Sequence, residues 1–269
     1  MSDSLYYHAI AKMIDHSLLD PTLTTRDLEA GCALAISYDV ASVCILPYYL
    51  ARCAELLGGT SVNASTTIGF PHGSQRTAIK AAEARQALKD GGRELDVVIN
   101  ISKARSGDWQ YVNDELLALT QTVHAEGAKI KAICERTYLD DASMAFLCGI
   151  CGAVGVDWIE TSMGNVTGCS ALDDLKLMRK NTPGRVQIKI SDGIRDLDRL
   201  LAARAIGVGR VGLICPERIL EECRNSLRME HVGQTVNPWK ADPISSDSGI
   251  SQSPAQFTPF PDNERFLEL

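Results

Sequence analysis

The chain has 269 residues, of which 45% are hydrophobic and 23% charged, with a formal net charge of −7. This is the make-up of a globular protein with one large core, and its acidic balance argues against nucleic acid or an anionic membrane as partner. No apolar run approaches the roughly 20 residues that span a bilayer. The start, MSDSLYYHAIAKMIDH, lacks the basic and apolar regions of a secretory signal, so a cytoplasmic protein is expected.

In chain order, short β-branched runs alternate with longer amphipathic segments. A strand expected over 13–16 is followed by a helix over 24–37, whose N-cap is Thr24. Strands over 40–46, 61–69 and 94–101 precede helices near 48–57, 76–90 and 110–126. Strands over 129–134 and 156–162 precede helices over 139–152 and 171–181, the second with Ser170 as N-cap. Strands over 186–191 and 210–214 lead into helices over 195–205 and 216–228. Gly127, Gly155 and Gly207 stand where helices should stop. Strand and helix alternating eight times in about 230 residues predict a (β/α)₈ barrel, the TIM-barrel fold of the α/β class. Residues 1–230 form that barrel. From His231 the periodicity ends in a Pro-, Ser- and Asp-rich stretch, read as an irregular tail over 231–269 in which Trp239 and the Phe257–Phe260 pair are docking candidates.

The nine cysteines are scattered and odd in number, so no disulfide framework is implied. Cys148 and Cys151 form one CxxC on an expected helix with no second pair at zinc spacing, and core packing is the reading.

In a barrel of this kind the chemistry gathers at the C-terminal ends of the strands. The polar residues expected there are Asp15 and His16, Cys44, His72, Asp96, Lys131, Glu160, and Lys189 with Asp192. Glu160 in VDWIETSMGN and Lys189 in VQIKISDGIR interrupt apolar strand runs, and a charge in such a place is costly unless it is paired or used.

These positions carry a resemblance. IDHSLLDPTLT (14–24), SVCILPYYL (42–50), IGFPHGSQRTAIKAAEA (68–84), ELDVVINISKARSGDW (94–109), KIKAICE (129–135) and DWIETSMGN with IKISDGIR are similar, in order, to the deoxyribose-phosphate aldolase family. The resemblance implies a (β/α)₈ class I aldolase without metal or other cofactor, joining acetaldehyde to glyceraldehyde 3-phosphate through a lysine Schiff base. It further implies Asp96 as a proton-handling carboxylate, Lys189 as a second lysine that lowers the nucleophile's pKa, and Cys44 as a pocket thiol.

The chain departs from the pattern where the chemistry sits. Glu160 occupies the place of the Schiff-base lysine. Asp192 replaces one glycine of the phosphate-binding pair completed by Gly193, and Leu213–Glu217 replaces a small-residue phosphate loop with a segment containing Pro216. His72 stands where the family has an apolar residue. A Schiff base needs a neutral amine, and Lys189 beside Glu160 and Asp96 should stay charged.

The expected activity is therefore an aldolase-like lyase acting on a small carbonyl or sugar-derived substrate by enolate chemistry. Lys189, Asp96 and Glu160 are its catalytic candidates. Asp15, Cys44, His72, Lys131, Ser162, Asn165, Ser191, Asp192 and Gly193 are its pocket. Alternatives left open are a Schiff base on Lys189, a related isomerase, cyclase or decarboxylase, and a non-catalytic aldolase relative. A further alternative is a divalent metal on Asp96, Glu160, Asp192 and His72. Against the metal stands ion pairing of these acids with Lys189, Lys131 and Arg195. The expected assembly is a homodimer.

Overall fold

A computed structural model describes residues 3–162, 172–191 and 193–229. Eight parallel strands close into a barrel in sequential order: β1 (Ile14–Leu18), β2 (Ser42–Ile45), β3 (Asn63–Ile68), β4 (Glu94–Val98), β5 (Lys129–Ile133), β6 (Trp158–Glu160), β7 (Gln187–Ile190) and β8 (Val208–Leu213), which pairs back onto β1. Around it run α1 (Asp3–Ala11), α2 (Thr25–Tyr38), α3 (Leu50–Leu56), α4 (Thr77–Lys89), α5 (Ile101–Arg105), α6 (Trp109–Ala125), α7 (Asp141–Val154), α8 (Leu172–Asn181), α9 (Leu197–Ile206) and α10 (Pro216–Ser226). The expected (β/α)₈ barrel is the observed fold.

The period of two along each strand divides the side chains between two cores. Leu95 and Val97, Ile130 and Ala132, and Ile188 and Ile190 alternate with Glu94 and Asp96, Lys131, and Lys189, and all of them are buried. The apolar set packs under the helices, where burial contributes about 25 cal/mol per Å². The polar set fills the lumen. The lumen is apolar on one side of its mouth, where Cys44, Val98 and Ile133 cluster with Leu19, Phe70 and Ile101 packed over them.

Local signals account for the helix ends. Thr24 caps α2 in a reciprocal box with Asp27. Gly155 and Gly207 close α7 and α9 in the left-handed region. The CxxC cysteines are buried core residues of α7. Gly73 has φ +63°, and a Cβ there would overlap the carbonyl of Ile99, so the β3–α4 loop passes against the β4 exit at a position only glycine fits.

Several expectations need correction. The sequence pattern predicts no element before residue 13, yet Asp3–Ala11 is α1, which buries Tyr7, Ile10 and Ala11. β4 does not reach 101: it ends at Val98, and Asn100 turns the chain by capping α5. The strand expected over 156–162 is only Trp158–Glu160. Ser170, and the tail over 231–269 with Trp239 and the Phe257–Phe260 pair, lie outside the described residues.

Candidate active site

Strand register brings the charges together. Asp96 is level with Lys131, and Glu160 with Lys189, which is itself level with Arg210. Lys189 Nζ donates to Asp96 Oδ2 at 2.6 Å and lies 3.2 Å from Glu160 Oε1 and 3.3 Å from Asp15 Oδ2. Lys131 Nζ reaches Asp96 Oδ1 at 2.8 Å and Glu94 Oε2 at 2.6 Å. Arg210 Nη1 bridges Asp15 Oδ1 (2.5 Å) and Glu94 Oε2 (3.0 Å). Asp15, Asp96, Glu160, Lys131 and Lys189 are wholly shielded from solvent. Ser42 and Ser65 donate hydroxyl protons to Asp15 and Asp96, and Trp158 lies beneath with the Arg210 guanidinium 4.8 Å from its ring centre.

Among the described residues, four carboxylates (Asp15, Glu94, Asp96, Glu160) thus meet three cations (Lys131, Lys189, Arg210). One carboxylate is in excess, and its position decides which group stays protonated. Burial alone would raise Asp15, but Arg210, Lys131 and Lys189 overcome it and hold that carboxyl far below the usual range. Burial likewise opposes ionisation of Asp96, and Lys131 and Lys189 outweigh it, leaving its pKa lowered. Glu160 has one close cation only. Burial raises its pKa to about 7, Lys189 offsetting part of the rise and Asp96 adding to it. Burial would neutralise Lys189, but Asp96, Glu160 and Asp15 reverse that and raise it well above the ordinary lysine value. The Cys44 thiol, 3.8 Å from Asp96 Oδ2, is pushed well up by burial and then by Asp96.

At the mouth, Ser191 donates to Glu160 Oε1 at 2.5 Å, whereas Glu160 Oε2 is buried without a hydrogen-bond partner among the described residues. Among the described residues, this is the one carboxylate oxygen of the catalytic candidates without a hydrogen-bond partner.

The structure brings together Asp15, Cys44, Asp96, Lys131, Glu160, Lys189 and Ser191 from the sequence-based set. Lys131 stands beside Asp96, wholly buried, where it neutralises Asp96 and Glu94. His16 needs correction. It packs on the α2 side near Gly31, its Nδ1 is 3.4 Å from the Leu213 carbonyl, and burial lowers its pKa to about 4. His72 is exposed on the β3–α4 loop, Ser162 turns its hydroxyl to Glu135 at 2.9 Å, and Gly193, at φ +81°, accepts from Arg199. Asn165 and Asp192 lie outside the described residues. Arg195 is exposed, and the third cation of the cluster is Arg210. Sequence reading passed over Glu94, Arg210, Ser42 and Ser65. Glu94 was within reach, because two residues before Asp96 on a strand means the same face.

Ionisable groups gathered inside a closed eight-stranded barrel, with Glu160 at the C-terminal end of β6, define a TIM-barrel enzyme. The family described as DeoC/LacD family aldolase matches residues 9–220, and the chain belongs to that family, a carbon–carbon lyase by class. The deoxyribose-phosphate aldolase of Rhodopirellula baltica is 55% identical over 230 residues, covering 86% of this chain and 95% of that one. The deoxyribose-phosphate aldolase of Thermococcus gammatolerans is 37% identical over 219 residues, 81% of this chain and 97% of its own. Among solved structures, an aldolase designated QR15 superposes with a TM-score of 0.77 at 30% identity, over 82% of this chain and 99% of that one. The tetrameric deoxyribose phosphate aldolase of Aeropyrum pernix superposes with a TM-score of 0.75 at 26% identity, covering 82% and 93%. Among the described residues no helix is long and apolar enough to cross a membrane.

Proposed function

We propose that this aldolase cleaves and forms the carbon–carbon bond of a small sugar-derived aldol by acid–base enolate chemistry, without a lysine Schiff base on β6. The observation that carries the reading is Glu160. It is buried at the C-terminal end of β6, 3.2 Å from the Lys189 ammonium, with its pKa raised to about 7 and one oxygen unpartnered. A carboxyl poised near neutrality is suited to take a proton and return it.

In the cleavage direction Glu160, as carboxylate, takes the proton of the substrate's β-hydroxyl. That carbon becomes a carbonyl as the carbon–carbon bond breaks, and the bonding pair is delocalised onto the neighbouring carbonyl oxygen as an enolate. The Lys189 ammonium stabilises the developing oxyanion. Glu160 then returns its proton to the enolate carbon, so two carbonyl products leave and the carboxylate is restored. Asp96, held ionised by Lys131 and Lys189, serves to keep Lys189 charged. Its lowered pKa makes it a weaker base than Glu160.

Covalent catalysis by Lys189 is disfavoured by the same geometry. An ordinary lysine at pH 7 is less than about 0.1% neutral, and three carboxylates within 3.3 Å push Lys189 further toward the ammonium. The names of the relatives make 2-deoxyribose 5-phosphate the first substrate to offer, and the sequence around Asp192 makes unphosphorylated 2-deoxyribose the second. The test is release of acetaldehyde from each by wild type and Glu160→Gln. The substitution should cost 100-fold or more, in line with the roughly 10²–10⁴ supplied by a general base. An unchanged rate would remove Glu160 from the mechanism.

A further inference from the structure

Glu160 is wholly buried, so a proton it exchanges with solvent, as opposed to a bound substrate, travels through a neighbour. Among the described residues one hydroxyl bonds it: Ser191, partly exposed just after β7, which donates to Oε1 at 2.5 Å. The other side of the mouth is lined by the apolar cluster of Cys44, Val98 and Ile133 with Leu19, Phe70 and Ile101 packed against it. Beside Ser191 stand two small residues, Gly212 of β8 and Ser17 of β1. Gly212 of β8 is buried, and a Cβ on it would overlap Ser191 Oγ and lie 3.3 Å from Ser17 Oγ. The absence of a side chain at Gly212 is thus what lets the Ser191 hydroxyl turn inward to Glu160.

We propose that Ser191 is the positioning residue and proton carrier of Glu160, and that Gly212 provides the space in which its hydroxyl works. The inference rests on the reading of Glu160 as the proton-handling group. When Glu160 is ionised, Ser191 donates to it. When Glu160 is protonated, the carboxyl proton passes to Ser191 Oγ as the Ser191 proton leaves for water at the mouth, and the reverse transfer reloads the site. No atom is gained or lost by the serine in either direction. The same hydrogen bond fixes the Oε1 edge of the carboxyl, so that Oε2 is the edge offered to a substrate hydroxyl. A hydrogen bond given to the charged form favours that form, and the Ser191 bond does lower Glu160 against the rise caused by burial.

The experiment is a carbon-13 titration of the glutamate carboxyls in wild type, Ser191→Ala, Ser191→Thr and Gly212→Ala. The Glu160 signal is assigned by its loss in Glu160→Gln, and kcat and KM are measured for each variant on 2-deoxyribose 5-phosphate. In Ser191→Ala the Glu160 midpoint should rise by about one pH unit, with kcat down about tenfold and KM within about twofold. Ser191→Thr, which keeps the hydroxyl, should restore both. Gly212→Ala should reproduce the Ser191→Ala behaviour with the serine still present. An unmoved Glu160 midpoint or an undiminished kcat in Ser191→Ala overturns the proposal. If Glu160→Gln is inactive while Ser191→Ala behaves as wild type, only the role of Ser191 fails. If Glu160→Gln is fully active, the acid–base reading falls and takes the relay with it.

Discussion

Lys189 and Asp96 meet inside the barrel from strands three apart, Nζ to Oδ2 at 2.6 Å, each fully buried. Neither could stay charged there alone, since an isolated charge in a dry interior costs several kcal/mol even after relaxation. Together with Lys131, Asp15, Glu94 and Arg210 they form a network in which each ion has partners on at least two strands. The network fixes Lys189 as a cation and leaves the uncompensated proton to Glu160.

The rate should report that proton. With Glu160 as base, kcat/KM for cleavage rises with pH through about 7, where its carboxyl ionises, and then levels off, because Lys189 is held charged well above the ordinary lysine value. A pH–rate profile from 5 to about 9 checks this. A profile flat through neutrality would detach the rate from Glu160.

Stability should move the opposite way. The folded pKa of Glu160 lies above its unfolded value of 4.5, so between about 4.5 and 7 the folded state binds more protons than the unfolded one. The stabilisation is complete below that window and is lost as pH rises through it. At pH 8 the buried, ionised Glu160 costs on the order of 3 kcal/mol. Glu160→Gln should therefore raise the urea midpoint at pH 8 and leave it nearly unchanged at pH 4.5, while activity falls. A variant that loses stability at pH 8 would contradict the excess-carboxylate account.

Outside the lumen, Lys80 of α4 is buried against Glu115 of α6 at 3.0 Å and donates to the Val98 carbonyl at the end of β4 at 2.7 Å, while Glu115 accepts from the Asn100 amide at 3.0 Å. Lys80→Met leaves Glu115 uncompensated and should cost about 3–5 kcal/mol, and Lys80→Met with Glu115→Leu should recover much of it. Chemical denaturation of wild type, both single variants and the double variant measures the coupling. Additive losses would mean the two residues act independently.

Much of this architecture was legible because the apolar runs were spaced like strands and the amphipathic segments like helices. Thr24, Gly155 and Gly207 act at helix ends as their chemistry demands. The first helix escapes the periodicity reading because it is short, although Asp3 stands in its first turn; tertiary burial of Tyr7, Ile10 and Ala11 orders it. The overlong β4 followed from an apolar run that continues to Ile101, where Asn100 ends the strand with one side-chain bond.

The site was legible in its principal charges, since a lysine or glutamate in an apolar strand has few uses. Which cation pairs with which acid was not. Arg195 and Arg210 look alike in the sequence, and only barrel closure, which sets β8 between β7 and β1, puts Arg210 against Asp15 and Glu94. The Ser191–Glu160 bond is also long-range, and depends on Gly212 of a third strand.

The most direct test of a non-covalent, acid–base aldolase is borohydride trapping during turnover of 2-deoxyribose 5-phosphate and of 2-deoxyribose, read by peptide mass, with Lys189→Ala as control for surface lysines. The account predicts acetaldehyde release without a reduced adduct on Lys189 or Lys131. An adduct mapped to Lys189 and absent from the control would show that the nucleophile is this lysine, and that its carboxylate neighbours do not keep it charged.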